Sequence, residues 1–176
     1  MPELNQRSQS TLVAAAVAGD RDAFGELYRG FSAAVHGTLL ARLRPADAED
    51  LVQEVFLEGW QKLDQLREPE SFGAWICAIA RRRATDLVRR TAPIDPLPEE
   101  LSVAPSAAVD LDARLALEAI QSLAEAYREP LLLRLMGGLS GEEIAQVTGL
   151  KPGSVRVNLH RGFRLLRERM GVTNET

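Results

Sequence analysis

The stretch from Thr91 to Asp110, TAPIDPLPEELSVAPSAAVD, limits what this chain can fold into more than any other part of it. Four prolines stand there among small and acidic residues, with no sustained apolar period. Proline has no backbone N–H to donate and disfavours helix in the residue before it, so neither a helix nor a paired strand is expected to run through. The stretch reads as an extended or disordered linker, residues 91–110, between residues 1–90 and residues 111–176. Each flanking piece must then assemble a core of its own.

Both pieces carry a helical period, and neither alternates as a strand would. Phe24, Leu27, Tyr28, Phe31, Val35 and Leu39 form one apolar stripe. Leu51, Val52, Val55, Phe56, Gly59, Trp60 and Leu63 form a second, and Phe72, Trp75, Ile76, Ile79, Ala80, Leu87 and Val88 a third. Recurrence at three and four residues predicts amphipathic helices. Pro45 suits an early position of the second helix, and Ser71 is placed to cap the third. Three such helices hide their stripes only against one another, so a bundle is expected. After the linker, Leu115, Leu117, Ile120 and Leu123 resume the period, and Gly137 and Gly138 end a helix. Pro130 requires either a helix start close before it or a kink. The expected fold class is all-α: two small helical domains joined by a flexible linker.

Charge is divided as sharply as periodicity. The net charge is −4, yet Asp47, Glu49, Asp50, Glu54, Glu58, Asp64, Glu68 and Glu70 crowd one segment. Arg81, Arg82, Arg83, Arg89 and Arg90 surround a single Asp86 in the next, and Lys151, Arg156, Arg161, Arg164, Arg167 and Arg169 face only Glu168 near the end. An acidic chain with two basic clusters can meet a polyanion there without adhering to it everywhere. Cys77 is the only cysteine, which excludes an intrachain disulfide and a cysteine-built zinc site and suits a reducing cytosol. The apolar run Leu12 to Ala18 is too weak for an export signal or a membrane span, so a soluble intracellular protein is expected. His36, expected at the bundle surface, and His160 are the only histidines. With no Walker loop, Rossmann glycines or metal-ligand spacing, no enzyme, metal or cofactor is expected.

The basic run at the end has a specific setting. Ser140 and Glu143 stand at capping-box spacing and open a short helix through Ile144, Ala145 and Val147, which Gly149 closes. Pro152, Gly153 and Ser154 then make a turn and restart a helix with Val155, Leu159, Leu166 and Met170 inward. This is a helix-turn-helix pattern, in which Ala145 is small enough to let the helices cross closely. Arg156, Val157, His160, Arg161 and Arg164 are left on the outer, DNA-facing side, where arginine reaches guanine edges or phosphates. A helix whose arginines only complement its own dipole is the bland alternative. Gly162 inside this helix is expected to cost about 1 kcal/mol relative to alanine.

Three segments carry a family resemblance: DAEDLVQEVFLEGWQKL from Asp47, AWICAIARRRATDLVRR from Ala74, and GLSGEEIAQVTGLKPGSVRVNLHRGFRLLRERM from Gly138. In this order and spacing the chain resembles an extracytoplasmic-function (ECF) sigma factor of bacterial RNA polymerase. The resemblance implies that residues 1–90 are sigma region 2 and residues 111–176 region 4. It implies that Asp50, Gln53, Glu54, Phe56 and Trp60 grip the clamp helices of the largest polymerase subunit; core packing is the alternative for Phe56 and an equal one for Trp60, and a solvated helix face the alternative for Asp50 and Glu54. The loop Leu66 to Ser71 would capture a flipped base of the −10 element. Arg67, Glu68, Ser71, Arg81, Arg82 and Arg83 would line that strand, with Trp75 in the core. Lys151, Ser154, Arg156, Val157, Asn158, His160, Arg161 and Arg164 would read the −35 element. The implied partners are core polymerase, promoter DNA and a cognate anti-sigma factor able to hold the cytoplasmic protein at the membrane. A dimeric helix-turn-helix regulator acting without polymerase is the rival expectation.

Overall fold

The computed structural model describes residues 8–91 and 111–171, and the expected linker lies outside the described residues apart from Thr91. The described residues hold eight α-helices and no strand. α1 (Gln9–Val17), α2 (Arg21–Leu40), α3 (Pro45–Gln61) and α4 (Phe72–Thr91) form one bundle; α5 (Leu111–Gln121), α6 (Glu125–Leu135), α7 (Gly141–Thr148) and α8 (Pro152–Arg169) form a second body.

Local chemistry sets the helix starts. The Asp20 carboxylate accepts from the backbone N–H groups of Asp22 (2.9 Å) and Ala23 (3.1 Å), which opens α2. Pro45 is the first residue of α3, where its missing N–H costs nothing. Ser71 does not cap α4. It ends a 3₁₀ turn, Pro69–Ser71, that runs straight into the helix. The turn's own bond, from Ser71 N–H to the Glu68 carbonyl (2.8 Å), holds Ser71 in a helical turn, whereas a capping residue is extended. α1 had no counterpart in the expected elements: its Leu12, Val13 and Ala16 are buried, with Val17 left outside.

The first core is aromatic where α2 meets α3 and α4. Phe31 meets Phe72 edge-on at 5.2 Å, and Phe24 meets Trp60 at 4.8 Å, the offset geometry aromatic quadrupoles favour. Trp75 is half-buried against Phe72. Val88, expected inward, is 46% exposed in the last turn of α4.

In the second body Pro130 lies inside α6, five residues after Glu125, so the helix start close before it is what accommodates the proline. Leu131, Leu132 and Leu133 are all buried. α8 crosses α6 at Gly162, where an added Cβ would come within 3.0 Å of Leu131 Cδ1. That approach gives the glycine a packing role which offsets its helix penalty. Met170, expected inward, is 40% exposed, because it caps α8 beyond its last helical residue; Leu115 is 49% exposed on α5, where only Ile120 is buried.

Two outcomes test this packing. Gly162→Val should destabilise the protein by roughly 1–3 kcal/mol through overpacking, seen as a lower urea midpoint with unchanged slope. Cys77 is fully buried, and burial pushes its thiol up to about 11, so it should resist thiol reagents in native protein and react only on unfolding.

Candidate nucleic-acid interface

The helix-turn-helix is built by α7 and α8. Ser140 Oγ accepts from Glu143 N–H (3.2 Å) while the Glu143 carboxylate accepts from Ser140 N–H (2.7 Å), a complete capping box. Gly149 ends α7 at φ 73°, a backbone state open to glycine at no steric cost. The turn is Gly149 to Lys151, since Pro152 is already the first residue of α8. Pro152, Gly153 and Ser154, expected as the turn, instead form the first helical turn, which proline's fixed φ pre-organises.

Val155 and Leu159 point into the core, which fixes the outer face of α8. Lys151, Ser154, Arg156, Val157, His160, Arg161 and Arg164 are exposed, and Asn158 is half-buried at the edge. Arg164 meets Glu168 at 3.5 Å, whereas Arg156, His160 and Arg161 make no ion pair among the described residues. Among the described residues, Arg156 and Arg161 thus stand on one exposed face of α8 without a carboxylate partner.

The −10 candidates fall into two groups. Arg67, Glu68 and Ser71 are exposed on the loop before α4, and Gln9 of α1 steadies that loop by donating to the Pro69 carbonyl (2.9 Å). A cleft of about 460 Å³ opens beside it, with Glu70 and Ser71 on one wall and Glu143 and Gln146 of α7 on the other. Arg81, Arg82 and Arg83 are instead engaged by carboxylates. Arg82 and Arg83 both bond Glu58 of α3, Arg83 at 2.8 Å, and Lys62 joins at 2.7 Å. Burial alone would raise the Glu58 carboxyl, but the bonds from Lys62, Arg82 and Arg83 overcome it and hold it at about 2. Arg81 turns the other way, to Glu129 of α6 (2.8 Å) and the Val147 carbonyl of α7.

On α3, Asp50, Gln53 and Glu54 are exposed in an acidic row, with Glu54 3.7 Å from Arg83. Phe56 lies behind them at 3% exposure, packed on Tyr28 at 4.6 Å, and Trp60 is half-buried against Phe24. His36, expected at the surface, is half-buried with Nε2 out of water; burial lowers its pKa against the opposing Glu49 charge. No group of His, Cys, Asp and Glu among the described residues could hold a metal, and no described helix is long and apolar enough to cross a membrane.

Two family models match the chain, one on each body: Sigma-70 region 2 matches residues 27–93, and Sigma-70, region 4 matches residues 113–166. The chain is 33% identical to RNA polymerase sigma factor CarQ of Myxococcus xanthus over 87% of its length and 92% of CarQ's. It is 35% identical to ECF RNA polymerase sigma factor ShbA of Streptomyces griseus, over 89% of this chain and 92% of ShbA. The chain belongs to the ECF RNA polymerase sigma factors. Among solved structures it is similar to CnrH in complex with the cytosolic domain of CnrY, with TM-score 0.67 and 26% identity over 94% of this chain and 99% of that one. These relatives favour a sigma factor over the rival dimeric regulator.

Three residues that organise the sigma factor's basic surfaces escaped sequence reasoning. Glu58 had a faint signal in its four-residue spacing to Lys62, but nothing in sequence pointed it at Arg82 and Arg83. Glu129 and Gln9 act on partners far along the chain, Arg81 and Pro69, and carry no local signature. Glu58 also gives a pH signature. A carboxyl held at about 2, against 4.5 when unperturbed, stabilises the fold fully above 4.5 and loses that contribution as pH falls through 2. The stability advantage of the native protein over Glu58→Gln, measured by urea unfolding, should therefore be constant near neutrality and shrink steadily on acidification through that window.

Proposed function

We propose that this sigma factor is a specificity subunit with no catalytic chemistry of its own, which binds core RNA polymerase through α3 and reads promoter DNA with α8, α4 and the loop before α4. The observation that carries the reading is the pairing of two exposed faces of opposite character in one chain. Asp50, Gln53 and Glu54 offer an acidic row to a basic protein surface, such as the clamp helices of the largest subunit. Arg156, His160 and Arg161 offer unpaired donors to duplex DNA at the −35 element. Phe56 and Trp60 support the acidic row from behind through their packing on α2.

In this account residues 1–90 act as region 2 and residues 111–176 as region 4. Arg67, Glu68 and Ser71 receive the melted −10 strand beside the cleft, where unstacking a base is repaid by pocket contacts. Lys151, Ser154, Val157, Asn158 and Arg164 complete the −35 surface. Phosphate contacts give salt-dependent affinity, and a few base contacts give the sequence. Joining two readers in one chain raises their effective concentration, so neither has to bind tightly alone. The protein works in the cytoplasm and is restrained by a cognate anti-sigma factor; the likeness to CnrH, solved with the cytosolic domain of CnrY, supports a protein partner of that kind.

Two substitutions separate the faces. Glu54→Lys should weaken core polymerase binding roughly tenfold through charge reversal while the fold is kept, as measured by fluorescence anisotropy. Unchanged affinity would remove α3 from that interface. Arg161→Ala should cost roughly 1–3 kcal/mol in −35-dependent recruitment and leave polymerase binding intact. Equal loss of both would indicate misfolding instead of a lost DNA contact.

A further inference from the structure

Where the two bodies meet, a charged contact stands beside the apolar packing of α6 on α2. Glu129 of α6 is only 7% exposed and sits between two arginines of the other body: Arg42 at 3.1 Å and Arg81 at 2.8 Å. The exposed Glu125 adds a weaker contact to Arg42 at 3.6 Å. A buried carboxylate is tolerated only when it is paired and hydrogen-bonded, so these arginines are a condition of burying Glu129 there.

Neutral bonds reinforce the contact. Arg81 also donates to the Val147 carbonyl in the last turn of α7, a carbonyl with no helical donor beyond it. Gln121 of α5 donates to the carbonyls of Leu40 (3.2 Å), the last residue of α2, and Leu43 (3.1 Å), in the connection to α3. Between these polar points α6 lies close on α2, where a Cβ at Gly37 would be 3.4 Å from the Leu132 carbonyl. The contact thus combines apolar packing of Leu132 on α2 with the charged and polar points around it.

Arg81 is what ties the contact to function, and here the inference rests on the −10 reading above. The Glu129 carboxylate and a DNA phosphate each offer a guanidinium two anionic oxygens as charge-assisted acceptors. One arginine cannot serve both in this geometry. The neighbouring Arg82 and Arg83 are held by Glu58 within their own body, so they stay in place whether or not the two bodies are docked. The α8 face is exposed while the bodies are docked, which leaves Arg81 as the promoter-facing residue that docking occupies. The covalent tether permits separation, since the chain between Thr91 and Leu111 can reach tens of ångströms at roughly 3.3–3.6 Å for each residue.

We propose that Arg42, Glu129 and Arg81 form a clasp that holds the free sigma factor closed, with Arg81 withheld from nucleic acid until the clasp opens. Opening exchanges the Glu129 carboxylate for phosphate on Arg81 and frees the two readers to take up independent positions.

The test uses the full chain carrying spin labels at Gln61→Cys on α3 and Arg167→Cys on α8, with the buried Cys77 retained. The closed protein should give one narrow interlabel distance. Glu129→Gln should broaden and lengthen it, and should tighten binding of a short fluorescein-labelled single-stranded DNA of random sequence by roughly fivefold or more. Gln121→Ala, which removes two bonds at a half-exposed position and threatens neither core, should shift both readouts the same way by less. A broad distribution in the parent chain, or an unchanged one in both variants, would overturn the clasp. Opening with no gain in DNA binding would overturn the withholding of Arg81, and with it the −10 assignment of that residue, while the closed state itself would stand.

Discussion

Three consecutive leucines, Leu131 to Leu133, are out of water together, and a helix can hide three neighbours only if it is enclosed on more than one side. α6 meets that demand by lying between its own body and the other. α8 covers the Leu131 face through the close crossing at Gly162, and α2 covers the Leu132 face at Gly37. The arrangement of the second body, and its seat on the first, both follow from enclosing this one short helix. Small domains bury a modest fraction of their surface, so a shared wall is also where a chain divided this way gains stability.

Charge is handled by the same economy. Glu58 and Glu129 are the two buried acids that face the arginines of α4, one from within the bundle and one from the other body. Each stands among several cations, so the basic helix is partly neutralised and held in a defined shape. Among the described residues no carboxylate pairs with Arg156 or Arg161 of α8, and both face solvent. The two basic clusters seen in the sequence are therefore physically different: one is pre-organised by carboxylates, the other open to a polyanion.

Much of this was legible in the chain. The three apolar stripes became α2, α3 and α4, and the Ser140/Glu143 spacing with Gly149 placed the helix-turn-helix. What sequence could not show were long-range pairings. Periodicity identifies which face of a helix is apolar, but not that Glu129 would bury itself between Arg42 and Arg81. Propensity marked Gly162 as a weakness because it counts backbone entropy, whereas the crossing with α6 is a tertiary fact. The same limit explains α1, whose short apolar face gains meaning only from the α2 surface it covers, and Ser71, where a turn fixed by Pro69 displaced the expected cap.

In the function proposed above, this sigma factor directs core polymerase to a two-part promoter. Runoff transcription from a pool of random promoters, with core polymerase and with or without the protein, tests it most directly when the upstream DNA of the transcripts is sequenced. Protein-dependent transcripts enriched for two motifs at fixed spacing are the expected result. No stimulation, together with tight binding of the protein alone to a palindromic duplex, would contradict it.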